Sequence, residues 1–443
     1  MKIIITGGCG YVGTELTKFL IKKGNKIKVI DAQWFGNYHQ KHKNLIIVKK
    51  DIREIEEKDI SGYKKIVHLA NIALESSEID VGLAWDVNVF AIKNLAEKCI
   101  KVGIKHFIYA SSGSVYGIRK EKRVTENTPL TPISTYNKTK MISERIIKSY
   151  ENEIIIHCIR PATVCGYSPR MRLDLSVNML TIQALKFKSM SIFGGNQVRP
   201  NIHIQDLVNV YEHFIFNPNL SGGFYNAGFE NLKIIEIAKK VAHIIPSEII
   251  VKNKHDPRTY RQNSDKLLLT GFKKNFSVSD AIKELKEKYE NKKFIESNKC
   301  YTVKWMKELN ELHAFKSVTK DNLRFDLCHG SPWDRDCYIY PDCNSDILNQ
   351  CALSESDFVL MGHTHYPFAY FHNNTTIANS GSVGQPRDRS SVGSWLVIDT
   401  RNRSLVFQHT PFDSSSIIDD VKKIDPHLPY LHEVLTGVRK DTV

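Results

Sequence analysis

Thr6-Gly7-Gly8-Cys9-Gly10-Tyr11-Val12-Gly13 is a glycine-rich turn between a short apolar run, Met1 to Thr6, and a stretch of helical periodicity. At such a junction each glycine has a task. Gly7 permits the tight turn, Gly10 lets the backbone approach a pyrophosphate, and Gly13 allows close packing of helix on strand. The start of the helix, Tyr11-Val12-Gly13, then turns its amide groups toward the phosphates. Asp31, at the end of the second apolar run, can accept hydrogen bonds from a ribose diol and would repel a 2′-phosphate, which predicts NAD over NADP.

Outward from this turn, Ile3 to Thr6, Ile27 to Ile30, Ile46 to Val48, Ile66 to Leu69 and Phe107 to Ala110 read as buried parallel strands, with helical stretches between them. The alternation predicts an α/β fold: a Rossmann-type doubly wound parallel sheet with its ligands at the carboxyl ends of the strands. After about residue 160 the pattern turns irregular, as in a smaller substrate lobe, mainly residues 161–297. Val278 to Tyr289 reads as a closing helix, and the lysine-rich Tyr289 to Lys299 as a solvated connector. A chain of 443 residues exceeds one ordinary core, and two domains are expected, 1–310 and 311–443.

Composition narrows the class. Hydrophobic residues at 42% and charged residues at 25% fit a globular protein, and no apolar run approaches the roughly 18 residues of a membrane span. The net charge of +14 is spread through Ile- and Asn-rich sequence without a basic run or an aromatic-basic stripe, so no nucleic-acid partner is expected. Nine cysteines without a CxxC pair fit free thiols in a reducing, cytoplasmic setting.

Tyr136-Asn137-Lys138-Thr139-Lys140 sets a tyrosine and a lysine one helical turn apart on one side of a helix. A nearby ammonium stabilises a phenolate, so the spacing predicts a tyrosine pKa below its ordinary value of about 10. The hydroxyl-rich strand end Tyr109-Ala110-Ser111-Ser112-Gly113-Ser114 precedes the pair. With Asp51-Ile52, His68-Leu69-Ala70 and Arg160-Pro161 in the same order, the first 300 or so residues resemble the extended short-chain dehydrogenase/reductase family, and within it the NAD-dependent nucleotide-sugar epimerases. The resemblance implies that Ser112 holds the reacting sugar hydroxyl, Tyr136 removes its proton and Lys140 also holds the nicotinamide ribose. It places the cofactor against Gly7, Gly10, Tyr11, Val12, Gly13, Asp31, Asp51, Ile52, Leu69 and Ala70. It assigns the nucleotide diphosphate of the substrate to Asn178, Arg199 and Arg258, whose two guanidinium forks match phosphate oxygens.

The family's 4,6-dehydratases carry an Asp-Glu pair after the catalytic hydroxyl residue; here Ser112 is followed by Gly113-Ser114. What the resemblance then implies is oxidation at a ring carbon, C4 by likeness, and return of the hydride from the other face. A one-way nucleotide-sugar dehydrogenase or reductase is the alternative. Relatives commonly form homodimers through a bundle that includes the YxxxK helix.

Beyond about Glu311, Cys328-His329-Gly330, Gly362-His363-Thr364-His365 and Asn379-Ser380-Gly381-Ser382 resemble the latter half of the calcineurin-like metallophosphoesterases. The resemblance makes His329, His363 and His365 ligands of a divalent metal. That family's Asp-x-His, Gly-Asp and Gly-Asn-His-Asp motifs have no counterpart before His329, so the metal site is expected to be incomplete. A partial sandwich is therefore expected at the carboxyl end, acting as a phosphoesterase with a partner chain or as a partner-binding scaffold.

Overall fold

An inner strand of the large sheet, Lys2–Thr6, is apolar on both faces through Ile3, Ile4 and Ile5. In the computed structural model, which describes residues 1–252, 259–294, 296–313, 315–334, 337–382, 392–411, 415, 418 and 419, the chain divides into two compact units, Met1–Lys307 and Glu308–Val443. The first unit carries, in order, β1 (Lys2–Thr6), β2 (Lys26–Asp31), β3 (Leu45–Lys49), β4 (Lys65–His68), β5 (His106–Ala110) and β6 (Ile155–Pro161). β7 (Thr163–Cys165), β8 (Ser189–Phe193), β9 (Val198–His203), β10 (Gly223–Ala227), β11 (Glu230–Lys233) and β12 (Glu248–Lys252) follow.

The large sheet runs β10-β6-β5-β4-β1-β2-β3, with every pairing parallel. The order of its first six strands is that of a doubly wound dinucleotide-binding sheet, reversing direction between β1 and β4. Ile3, Ile4 and Ile5 are all wholly buried because helices cover both faces. Ile3 and Ile5 pack with Leu16 and Leu20 of the Tyr11–Lys22 helix, while Ile4 faces Ile92 and Leu95 of the Ala91–Lys101 helix. β3 is an edge strand, and Ile46, expected inside, is 56% exposed.

The stretch after residue 160 is not a lobe throughout. The Ile204–Phe216 helix places Tyr211 and Phe214 in the same core cluster as Ile3, and β10 joins the large sheet beside β6. Between these returns, β7, β9 and β11 form one small sheet and β8 and β12 another. The Ser176–Phe187, Ile234–Ile244 and Val278–Glu290 helices share a separate core around Leu180, Ile237 and Ile282. Nor is the stretch after Tyr289 wholly a solvated connector: its aromatic residues Tyr289 and Phe294 pack against Leu285 and Cys300.

The second unit carries β13 (Phe315–Lys320), β14 (Leu323–Cys328), β15 (Phe358–Met361), β16 (Phe368–His372), β17 (Thr375–Asn379), β18 (Val392–Asp399) and β19 (Ser404–Pro411). Its main sheet is ordered β13-β14-β15-β17-β16, parallel through the central three strands and antiparallel at both edges; β18 and β19 form a hairpin. Among the described residues no helix is long and apolar enough to cross a membrane.

Candidate active site

The glycine turn opens into a cleft of about 660 Å³ in the first unit, at the carboxyl ends of β1, β2, β4 and β5. Gly7 has φ 72°, and a Cβ there would run into the backbone of Ala70, so the turn and the His68-Leu69-Ala70 segment require each other. Gly13 is equally constrained, because a side chain would strike the Gly7 carbonyl and Gly8. Gly10 begins the Tyr11–Lys22 helix without a side-chain cap, which leaves the first-turn amides to a ligand. Asp31 lines the cleft with its carboxylate held by the amides of Cys9 at 2.9 Å and Gln33 at 2.6 Å, and burial holds its pKa above the usual carboxylate range. Each carboxylate oxygen keeps acceptor capacity beyond one amide. Asp51, Ile52, Leu69 and Ala70 line the same cleft, Asp51 also capping the Ile52–Glu54 turn through the Arg53 amide.

On the opposite wall, the Thr135–Lys148 helix starts at Ser134, whose hydroxyl accepts from the Asn137 amide. The Glu78 carboxylate reinforces that start by accepting from the Thr135 amide and hydroxyl at 2.7 and 2.8 Å. One residue on, Tyr136 faces the cleft beside Ser112. Ser112 Oγ lies 2.8 Å from Ser114 Oγ, which in turn donates to Asn137 Oδ1 at 2.7 Å. Lys140 lies behind the tyrosine, with Nζ 5.8 Å from its ring centre, and donates to the Ala110 carbonyl at 2.7 Å.

The expected lowering of the tyrosine pKa does not occur in this structure. Burial pushes Tyr136 up to about 12, against the opposing effects of the Ser112 hydrogen bond and the Arg172 charge. The same burial brings Lys140 down to about 7, so the ammonium that was to stabilise the phenolate is itself destabilised. Spacing along a helix reports proximity and carries no information about desolvation.

Of the residues assigned to the substrate diphosphate, Arg199 lines the cleft from β9. Asn178 does not. Its side chain is fully buried, accepting from the Gly166 amide at 3.0 Å and donating to the Tyr11 hydroxyl at 3.1 Å and the Arg172 carbonyl at 2.9 Å. It holds cleft-lining residues in position. Arg258 lies outside the described residues.

Sequence reading missed Arg170, Arg172 and Asp174, which enter the cleft from one loop of the lobe, Arg172 paired with Asp174 at 2.9 Å. The alternation in Arg170-Met171-Arg172 was the only available signal, and a charged loop on a surface looks the same. Behind the sheet, Arg160 and Glu144 form a wholly buried bidentate pair at 2.8 and 2.7 Å, with Arg160 also donating to the Tyr116 hydroxyl at 2.8 Å.

In the second unit, the segments singled out in sequence follow the adjacent parallel strands β14, β15 and β17. The His329 and His363 rings lie 4.5 Å apart, and the Tyr338 ring lies 4.1 Å from that of His363. His365 follows with φ 62°, and Asn379 donates to the Thr364 hydroxyl at 3.0 Å. Among the described residues, no group of three or more His, Cys, Asp or Glu is arranged to hold a metal ion.

Two protein families match successive parts of the chain. Residues 3–228 match the NAD dependent epimerase/dehydratase family. Residues 253–403 match the calcineurin-like phosphoesterase superfamily domain, although the part before Glu308 falls within the first unit. An uncharacterised UDP-glucose epimerase of Bacillus subtilis is 30% identical over 266 residues, 55% of this chain and 82% of the relative. A UDP-glucose 4-epimerase of Lactobacillus helveticus is 28% identical over 64% of this chain and 95% of its own length. Among solved structures, UDP-glucose 4-epimerase from Thermotoga maritima with UDP-glucose gives a TM-score of 0.59 at 24% identity, covering 66% of this chain and 99% of that one; at this identity the likeness speaks for the fold.

Proposed function

This chain belongs to the NAD-dependent epimerase/dehydratase family, and from that premise we propose that it is a nucleotide-sugar 4-epimerase acting by transient oxidation of the sugar ring. The observation that carries the reading is that Ser112 and Tyr136 both line the cleft into which the glycine turn opens. NAD fits that turn: the uncapped helix start suits its phosphates, and Asp31 with Asp51 and Ile52 suits its adenosine end. When bound, NAD supplies the two-electron acceptor for the sugar carbon.

The chain's own residues manage the proton and the pose. Ser112 holds the sugar hydroxyl, Tyr136 takes its proton, and Lys140 orders this end of the cleft through Ala110. Ser112 and the Arg172 charge both favour the ionised phenol, so proton loss is easier than for a tyrosine buried without them. Arg199 is the side chain suited to the substrate diphosphate. Gly113-Ser114 offers no carboxyl group next to Ser112 for eliminating water, which favours epimerisation over 4,6-dehydration. UDP-sugars are the substrate class, as in the named relatives.

Tyr136→Phe tests the assignment. Turnover of UDP-glucose should fall by about two to four orders of magnitude, the usual range for removing a proton-transfer group, while NAD binding by calorimetry stays unchanged. Full activity in the variant would overturn it.

A further inference from the structure

Arg170 is a cation with few partners. It enters the cleft from the lobe and is only 4% exposed, with its guanidinium 4.0 Å over the centre of the Phe35 ring. Phe35 belongs to the loop that follows Asp31, so the stack fixes the plane of the fork at the end of the cleft nearest β2. Nη1 reaches the Met171 carbonyl at 3.3 Å, and Nε has no hydrogen-bond partner among the described residues. The nearest acids are engaged elsewhere: Asp31 with the Cys9 and Gln33 amides, Asp174 with Arg172.

A guanidinium has five N–H donors, and burying one without acceptors is costly unless an anion completes it. Burial, with Arg172 nearby, holds the Arg170 guanidinium down at about 10, as expected of an incompletely compensated cation. The Tyr11–Lys22 helix presents uncapped amides to the same cleft. Its start and the unsatisfied guanidinium are independent features, and both favour a negative group.

We propose that Arg170 binds the phosphates of the dinucleotide cofactor, so that the cofactor is held by the helix start on the sheet side and by Arg170 on the lobe side. The proposal rests on reading the cleft as a NAD site. It implies that the lobe contributes to cofactor affinity as well as to the substrate pocket, with Phe35 setting the plane in which the fork meets the phosphate.

Calorimetric titration of the full chain with adenosine, ADP, NAD and UDP separates the phosphate from the base and the cofactor from the substrate. Arg170→Ala should weaken ADP and NAD by about 10- to 100-fold, as for loss of a charge-assisted bidentate contact, and leave adenosine and UDP within about twofold. Arg170→Gln keeps the reach, removes the charge and reads the same contrast should the alanine variant not fold. Equal weakening of adenosine and ADP would make Arg170 a packing residue and overturn the proposal. So would weakening of UDP in place of ADP, or unchanged binding throughout. A wild-type chain that bound neither NAD nor ADP would overturn the cofactor reading itself, a failure recognisable without any variant.

Discussion

Acidification to about pH 5 should destabilise the first unit through three buried imidazoles. His68 is held at about 3, His106 at about 3 and His157 at about 4, in each case by burial first. His106 and His157 share a hydrogen bond of 2.8 Å, and His157 Nε2 lies 3.1 Å from the Leu220 carbonyl. With His157 Nε2 donating to that carbonyl, its Nδ1 accepts from His106, and an added proton must break this bond or sit on the unpartnered His106 Nδ1. The folded pKa values lie below the ordinary 6.5, so the unfolded chain binds protons the folded chain refuses. The stability is therefore complete above about pH 6.5 and is lost as pH falls toward the folded values. At about pH 5 the loss is about 2 kcal/mol for each imidazole and about 6 kcal/mol for the three, against a typical total of about 5–15 kcal/mol. The assay is urea unfolding at about pH 7 and pH 5, followed by hydrogen exchange of peptides from β5 and β6. His106→Gln keeps a donor for His157 and removes one titrating group, so its acid loss should be smaller by about 2 kcal/mol. An acid loss equal to that of the wild type would refute the reasoning.

Two further variants address the substrate and the core. Arg199→Ala should weaken UDP-sugar binding by about 10- to 100-fold and leave NAD binding unchanged, as read by titrating each ligand; the opposite selectivity would move Arg199 to the cofactor. Glu144→Gln leaves the buried Arg160 guanidinium short of its counter-charge and should cost about 3–5 kcal/mol, measured as a lowered urea midpoint. An unchanged midpoint would show that the pair adds nothing beyond packing.

The central strands were legible because parallel strands covered on both faces must be apolar throughout, as Ile3-Ile4-Ile5 are. β6 was harder to read, since it buries His157 and Arg160, whose partners His106 and Glu144 are distant in sequence. β10 is short and lies beside β6 only because the Ile204–Phe216 helix carries the chain back to the sheet. The glycine turn, Ser112 and Tyr136, singled out by motif, all line one cleft, since each lies at a strand end or helix start that opens on it. Arg170 and Arg172 could not be singled out in this way: a loop that folds into a cleft has no periodicity to mark its inner face. Asn178 shows the converse, a motif residue whose buried side chain does not line the cleft but bonds the Tyr11 hydroxyl and the Arg172 carbonyl, both of residues that do.

The most direct test of the epimerase reading is product analysis with NAD and a panel of UDP-sugars in deuterated water. The account predicts an isomeric UDP-sugar of unchanged mass, without deuterium at C4 and without net NADH, because the hydrogen leaves and returns within the site. Accumulating NADH with a product lighter by two hydrogens, or a product lighter by one water, would contradict it.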